Sequence, residues 1–386
     1  MRKIMMLFVI IFLLLIIVPD IYIWWMFIRL TGIAALSFLW WIPSAAALIA
    51  AAAWTAGAHS DWLLRCFFVI LLCLALPKLL FMLFSLAGWS VGHWLPALSK
   101  GLHIAGLCLA AVLCGCCIYG FTGGLKRLEV RETKVLSPRL PAGFDGYRIV
   151  HISDLHAGTF GSDTTFIHRL TERVNSLKPD LVVFTGDIVN SSPEELMPHL
   201  GNLSRLDARD GVWSVLGNHD YCEYARYDTP DGAARSRARV IELERRMGWN
   251  LLLNDHGTIR RGDAEIAIVG VENDGRPPFP SRGDLHRAKA GLPDSIFTVL
   301  LSHDPSHWRR EVLPTEAADL TLSGHTHAMQ FELFGLSPSA LTYPEWGGLY
   351  REGDRSLYVS KGAGGTAPFR FGAWPEITVI ELGNPN

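Results

Sequence analysis

Acidic residues are almost missing from the first third of this 386-residue chain: between Met1 and Thr122 only Asp20 and Asp61 occur. A water-exposed segment of that length carries charge of both signs, so its near-absence excludes a soluble fold there. Cysteine is scarce in the remainder. Of seven cysteines, Cys66, Cys73, Cys108, Cys114, Cys116 and Cys117 lie in the apolar part and only Cys222 lies beyond it. That excludes a disulfide framework and a thiolate zinc site in the C-terminal part. Cys114, Cys116 and Cys117 read as small, polarizable packing residues of a membrane helix. A formal charge of -2 excludes a general polyanion-binding role, and no nucleic-acid partner is indicated.

What is present in residues 1–122 is a series of apolar runs such as IMMLFVIIFLLLIIV. A bilayer-crossing helix needs about 20 apolar residues, and four candidates fit: Ile4 to Ile28, Thr31 to Trp54, Cys66 to Ala87, and Gly101 to Gly120. Pro19-Asp20 interrupts the first, and Trp40-Trp41 with Pro43 the second. A cleaved signal peptide after Arg2 and Lys3 would account for the first run alone. The segment therefore reads as multi-pass, in an inner or cytoplasmic membrane. With four spans, Arg2, Lys3, Arg65, Lys126, Arg127, Arg131 and Lys134 fall on one side, against Arg29 and Lys100 on the other, which predicts a cytoplasmic C-terminal domain. Lys78, beside Pro77 in the third span, has no clear acidic partner in the sequence. It meets an anionic headgroup or a water-filled pocket, or else snorkels to the interface; the last reading is favoured.

Residues 123–146, with the Pro- and Gly-rich LSPRLPAGFDG, read as a linker, and 147–386 as one domain. There the pattern repeats: an apolar strand, a polar turn, a helix. YRIVHIS runs into Asp154-Leu155-His156, LVVFT into Gly186-Asp187, and VWSVL into Gly217-Asn218-His219-Asp220. FTVLLS runs into His303-Asp304, and DLTLS into Gly324-His325-Thr326-His327. Phe166, Leu170, Val174 and Leu177 mark one amphipathic helix, and Leu196, Leu200 and Leu203 a second that Pro193 opens. Strands alternating with helices predict a layered α/β domain, with sites beyond the carboxyl ends of strands. Carboxylates, one amide and four imidazoles suit two first-row divalent ions sharing a carboxylate.

The ordered series D-x-H, G-D, G-N-H-D, S-H and G-H-T-H resembles the calcineurin-like metallophosphoesterase superfamily, across Tyr147 to Leu382. GLYREGDRSLYVSKGAGG and FRFGAWPEITVIEL resemble, more narrowly, its membrane-associated bacterial phosphodiesterase branch. The resemblance implies a β-sandwich flanked by helices and two divalent metals (Mn, Fe or Zn). Asp154, His156 and His327 would bind one and Asn218, His303 and His325 the other, with Asp187 bridging. His219 would assist at the phosphate and leaving group; Asp220 would orient it or serve the turn. Asp187 and His219 are thus the catalytic pair. The implied reaction is hydrolysis of a phosphodiester or pyrophosphate in a lipid or lipid-linked nucleotide by a metal-bound hydroxide, one family parallel being a UDP-linked acylated sugar. The protein-phosphatase pattern G-D-x-x-D-R-G is absent, since the text here is GDIVNSS.

Smaller expectations complete the reading. Asn190 contacts phosphate or forms a turn. His151 is a core histidine, and His307 lines the cleft or faces solvent. The arginines from Ala233 to Met247 form a solvated helix face more readily than a lipid-headgroup surface. MQFELFGLSPSALTYPEW is either an apolar lip that admits a lipid tail or a buried strand and turn. Ala328-Met329 replaces two glycines of many relatives. The alternatives to a phosphoesterase are a non-catalytic metal-containing membrane sensor or regulator, and a transporter with a regulatory domain.

Overall fold

The computed structural model describes residues 14–55, 61–277 and 279–385. Its contacts divide the chain at Thr122 into two units.

In the first unit, four helices among the described residues are long and apolar enough to cross a membrane: Leu14–Thr31, Ala34–Ala53, Arg65–Val91 and Pro96–Thr122. The expected start of the first span, with Arg2 and Lys3, lies outside the described residues. Pro19-Asp20 does not break that helix, nor does Pro43 break the second. Pro77 removes one intrahelical donor from the third span, and the wider turn Leu71–Ala75 precedes it. Lys78 departs from expectation. Its ammonium pairs with buried Asp20 at 2.7 Å and stands 4.1 Å from the Trp40 ring centroid. Ser44 donates to the same carboxylate, and Trp40 Nε1 donates to the Asp20 carbonyl at 3.2 Å. Mutual neutralisation within the bundle takes the place of snorkelling.

The second unit is built on two six-stranded sheets. One has the order β1-β12-β2-β3-β4-β5: β1 (Glu129–Leu136), β12 (Glu376–Gly383), β2 (Arg148–Ile152), β3 (Leu181–Phe184), β4 (Val212–Ser214) and β5 (Asn250–Leu251). The other has the order β10-β11-β9-β8-β7-β6: β10 (Gly348–Glu352), β11 (Arg355–Val359), β9 (Leu320–Ser323), β8 (Phe297–Leu301), β7 (Ala264–Gly270) and β6 (Asp255–Arg261). The expected linker is therefore not all linker. EVRETKVL in 123–146 forms β1, which pairs in parallel with β12 over its whole length.

Strand period two sets the layers. Ile149 and Val183 meet Ile268, Val299, Leu320 and Leu322 between the sheets. Their neighbours Val150, Ile152, Val182 and Phe184 face Phe166, Leu170 and Val174 of helix Thr165–Ser176 and Val240 and Leu243 of helix Gly232–Arg246. Outside the second sheet, Ala267, Val269 and Leu300 pack on Trp308 and Val312. Strands buried on both faces explain the unbroken apolar runs. The expected second helix is split into the short turns Pro193–Leu196 and Leu200–Leu203. Pro198 stands between them, and its missing N–H breaks the hydrogen-bond ladder although Met197 before it keeps helical angles (φ -55°, ψ -44°). The parallel neighbours β2, β3 and β4, with β8 and β9 of the other sheet, end on one side, where their loops gather.

Candidate metal centre

The loops leaving β2, β3, β4, β8 and β9 bring the five motifs together. Asp154, His156, Asp187 and His327 offer one ligand atom each within 4.8 Å of one another, and Asp187, His303 and His325 form a second such group. Asp187 belongs to both. Its Oδ2 lies 3.6 Å from His156 Nε2 and 3.1 Å from His303 Nε2, while its Oδ1 accepts the His219 amide at 2.8 Å. Asn218 enters the second group through its Oδ1, 2.9 Å from His325 Nδ1, with its amide nitrogen donating to the Tyr224 hydroxyl at 2.9 Å.

Backbone strain aims these side chains. Asp154, His156, Asp187, His325 and His327 have φ of 53°, 48°, 59°, 72° and 50°. Left-handed backbone costs a residue with a side chain about 1–2 kcal/mol, and such residues cluster at functional sites. The motif glycines serve close approach. A Cβ on Gly217 would overlap the Asp187 carboxylate, and one on Gly324 would overlap Ser153 Oγ and Asp154 Oδ2. Asp220 does not reach the His219 ring. Its carboxylate accepts the amides of Asp187 (2.7 Å), Ile188 (2.8 Å), Val189 (3.2 Å) and Gly217 (2.8 Å), tying two of the loops together.

The electrostatics are those of a cation site. Burial, reinforced by neighbouring cationic groups, pushes His156 down to about 3 and His327 well below its ordinary range, and burial holds His325 at about 4. These imidazoles are neutral at pH 7. His156 Nε2 and His327 Nε2 nevertheless face each other at 3.1 Å, with Asp154 Oδ1 3.3 Å from the latter. Burial opposes charge on Asp187, but the His303 imidazole beside it, with His219, prevails and holds it well below the usual carboxylate range. Burial likewise opposes His303, and Asp187 prevails, raising it to about 10. Burial raises Asp154 to about 6. His303 Nδ1 donates to the Thr185 carbonyl at 2.6 Å, leaving Nε2 buried, without a hydrogen bond and turned to Asp187. Buried imidazole nitrogens and carboxylate oxygens converging on one point fit a divalent ion.

His219 Nδ1 donates to the Asn190 carbonyl at 2.6 Å, so Nε2 is left for the cleft. Asn190 turns its side chain away, to Thr159 Oγ1 at 3.0 Å, and its amide N–H donates to Glu195 at 2.5 Å. Its contribution beside His219 is thus a carbonyl and not a side chain. The cleft, about 200 Å³, is lined by Asp187, Asn218, His219, His325 and His327 and by Phe279, Met329 and Tyr343. Tyr343 was not singled out from sequence; its hydroxyl lies 2.8 Å from His325 Nε2. Arg370 was missed too. Fully buried, it donates to the carbonyls of Gly364, Ala373 and Lys361, each at 2.7 Å, clamping the KGAGG loop under the centre.

The remaining candidates fall away from the cleft. His151 is buried in β2 with Nε2 at 2.8 Å from Thr185 Oγ1. His307 is buried, between Ser302 (2.9 Å) and Glu311 (2.9 Å). Arg235 and Arg239 pair with Asp231 and Glu242 on the surface of their helix, as a solvated face does. Ala328 and Met329 have φ of 51° and 48°, a backbone that glycine adopts more readily than either.

Comparison with known proteins agrees with this geometry. Residues 147–329 match the family described as Calcineurin-like phosphoesterase, and residues 2–125 match the family described as Probable Calcineurin-like phosphoesterase, transmembrane domain. The chain is 33% identical to the metallophosphoesterase YkuE of Bacillus subtilis (strain 168), over 69% of this chain and 91% of that protein. It is 29% identical to a transmembrane protein with metallophosphoesterase domain of Bos taurus, over 82% of this chain and 71% of the other. It is 28% identical to the UDP-2,3-diacylglucosamine pyrophosphatase LpxG of Chlamydia muridarum, over 63% and 86%. Members of this family use divalent metals. The chain belongs to the calcineurin-like phosphoesterases, as a membrane metallophosphoesterase with an N-terminal four-helix transmembrane domain.

Proposed function

We propose that this chain is a membrane-anchored dinuclear phosphoesterase that hydrolyses a phosphodiester or diphosphate carried by a lipid or a lipid-linked nucleotide. The observation that carries the reading is Asp187 Oδ2 standing 3.6 Å from His156 Nε2 and 3.1 Å from His303 Nε2, between two ligand groups. Asp154, His156 and His327 would hold one ion and Asn218, His303 and His325 the other, with Asp187 in both groups. Bound there, manganese, iron or zinc supplies Lewis-acid charge at the phosphoryl oxygens and lowers the pKa of water. The protein does the rest. The loop set tied by Asp220 fixes both groups, so little reorganisation is needed when charge develops at phosphorus. His219 is held by Asn190 with Nε2 free to give a proton to the departing oxygen. Phe279 meets His325 edge-on at 4.6 Å and shields it from water.

Four spans make sense for a substrate confined to a membrane, and the relative LpxG bears the name of an enzyme acting on a diacylated sugar nucleotide. The basic residues flanking the spans support a cytoplasmic catalytic unit. The test is turnover by the purified full chain of bis(p-nitrophenyl) phosphate and of a UDP-linked diacyl sugar, with and without manganese. Metal-dependent release of product from either supports the reading; ligand binding without turnover would replace it with a sensor.

A further inference from the structure

Beyond His327 the chain makes a lip unlike the rest of the second unit's surface. Phe334 is 94% and Leu341 89% exposed, and Leu333, Leu336 and Met329 are exposed as well. The lip is held firmly. Leu333 and Leu336 exchange backbone hydrogen bonds of 2.9 and 3.0 Å around a two-residue turn. The turn places Phe334 at φ 53° and Gly335 at φ 77°, where Asn, Asp or Gly ordinarily stands. Ser337 Oγ donates to the Ala328 carbonyl at 2.6 Å and caps the turn Pro338–Leu341 that displays Leu341. A large aromatic in left-handed backbone, fully in water and braced from behind, is strain retained without any packing in return.

The lip also belongs to the cleft: Met329, Ser339, Thr342 and Tyr343 line it. Its two charged residues are both paired, Glu332 with Lys361 and Glu345 with Arg309, so the tip presents hydrocarbon and no net charge. A bilayer is always at hand, since the last span ends at Thr122 and β1 starts at Glu129. We propose that Phe334, Leu336 and Leu341 insert into the acyl-chain region of the bilayer and seat the mouth of the cleft on the membrane, so that a lipid-borne phosphoester enters without crossing water. The seating stands on the lip alone; what enters rests on the phosphoesterase reading.

The experiment uses the full chain in vesicles of phosphatidylethanolamine and phosphatidylglycerol. A Phe334→Cys variant carrying an environment-sensitive fluorophore, with labelled wild type as the blank, reports the medium around the tip. A blue-shifted signal quenched by lipid-borne quenchers is expected. A water-like signal, or a shift in detergent that grows with protein concentration and so reports a second copy, overturns the proposal. In the paired arm, the double variant Phe334→Asp, Leu341→Asp hydrolyses soluble bis(p-nitrophenyl) phosphate within about twofold of wild type but loses about tenfold or more on a vesicle-borne diacyl diphosphate. Equal rates on the vesicle substrate overturn it. If wild type turns over neither substrate, the phosphoesterase reading fails, and the fluorophore still decides the seating.

Discussion

His156 Nε2 and His327 Nε2 stand 3.1 Å apart in a buried site, hydrogen-bonded to each other and close enough to share one cation instead. His325, two residues before His327, turns instead to Asn218. The two histidines of G-H-T-H therefore serve different groups, and removing one should empty one position only. His327→Ala is expected to leave one divalent ion per chain by elemental analysis of the purified protein; loss of both, or of neither, contradicts the division.

Gly324→Ala probes the packing behind that division. The added methyl would overlap Ser153 and Asp154, and such overpacking costs about 1–3 kcal/mol. The variant should unfold at lower temperature and retain less metal, with both losses seen in one thermal scan of loaded and chelator-treated protein.

Met329→Gly should do the opposite for stability. Met329 has φ 48° and is half-exposed, so glycine relieves about 1–2 kcal/mol of left-handed strain and loses little packing. The greater freedom of glycine in the unfolded chain offsets about 0.5–1 kcal/mol of this, leaving a small gain. An unchanged or lower melting temperature would count against the strain.

Glu244 gives a pH-dependent prediction. Burial, with Asp220 adding to it, raises its pKa well above the usual range, while Ser214 Oγ donates to it at 2.6 Å. A carboxyl raised in the folded state contributes stability that is fully present below the unfolded value of about 4.5 and is lost as pH rises through the folded value. Glu244→Gln keeps the shape and removes the titration. Its melting temperature should exceed that of wild type by a margin that grows with pH above that lower value; a margin constant with pH contradicts this account.

Much of the centre was legible because its ligands come as short motifs at strand ends, where chain direction and period two bring them to one side. D-x-H and G-H-T-H needed no long-range knowledge. The supports were another matter. Arg370 acts 43 residues from His327, Lys78 pairs with Asp20 across 58 positions, and neither distance leaves a periodic trace. EVRETKVL, with apolar residues only at Val130, Val135 and Leu136, carries no period-two pattern, and the Pro- and Gly-rich stretch after it makes β1 read as linker. Left-handed backbone at Ala328 and Met329 is invisible in residue type, because neither favours it.

The central claim is that Asp187 joins two ions at a phosphoester-cleaving centre. Its direct measurement is metal content and bis(p-nitrophenyl) phosphate turnover of the purified full chain beside Asp187→Asn. The account predicts two divalent ions in the wild type, weaker retention of both in the variant, and a fall in turnover of about 100-fold or more. An Asp187→Asn protein with full metal content and near-normal turnover would contradict it.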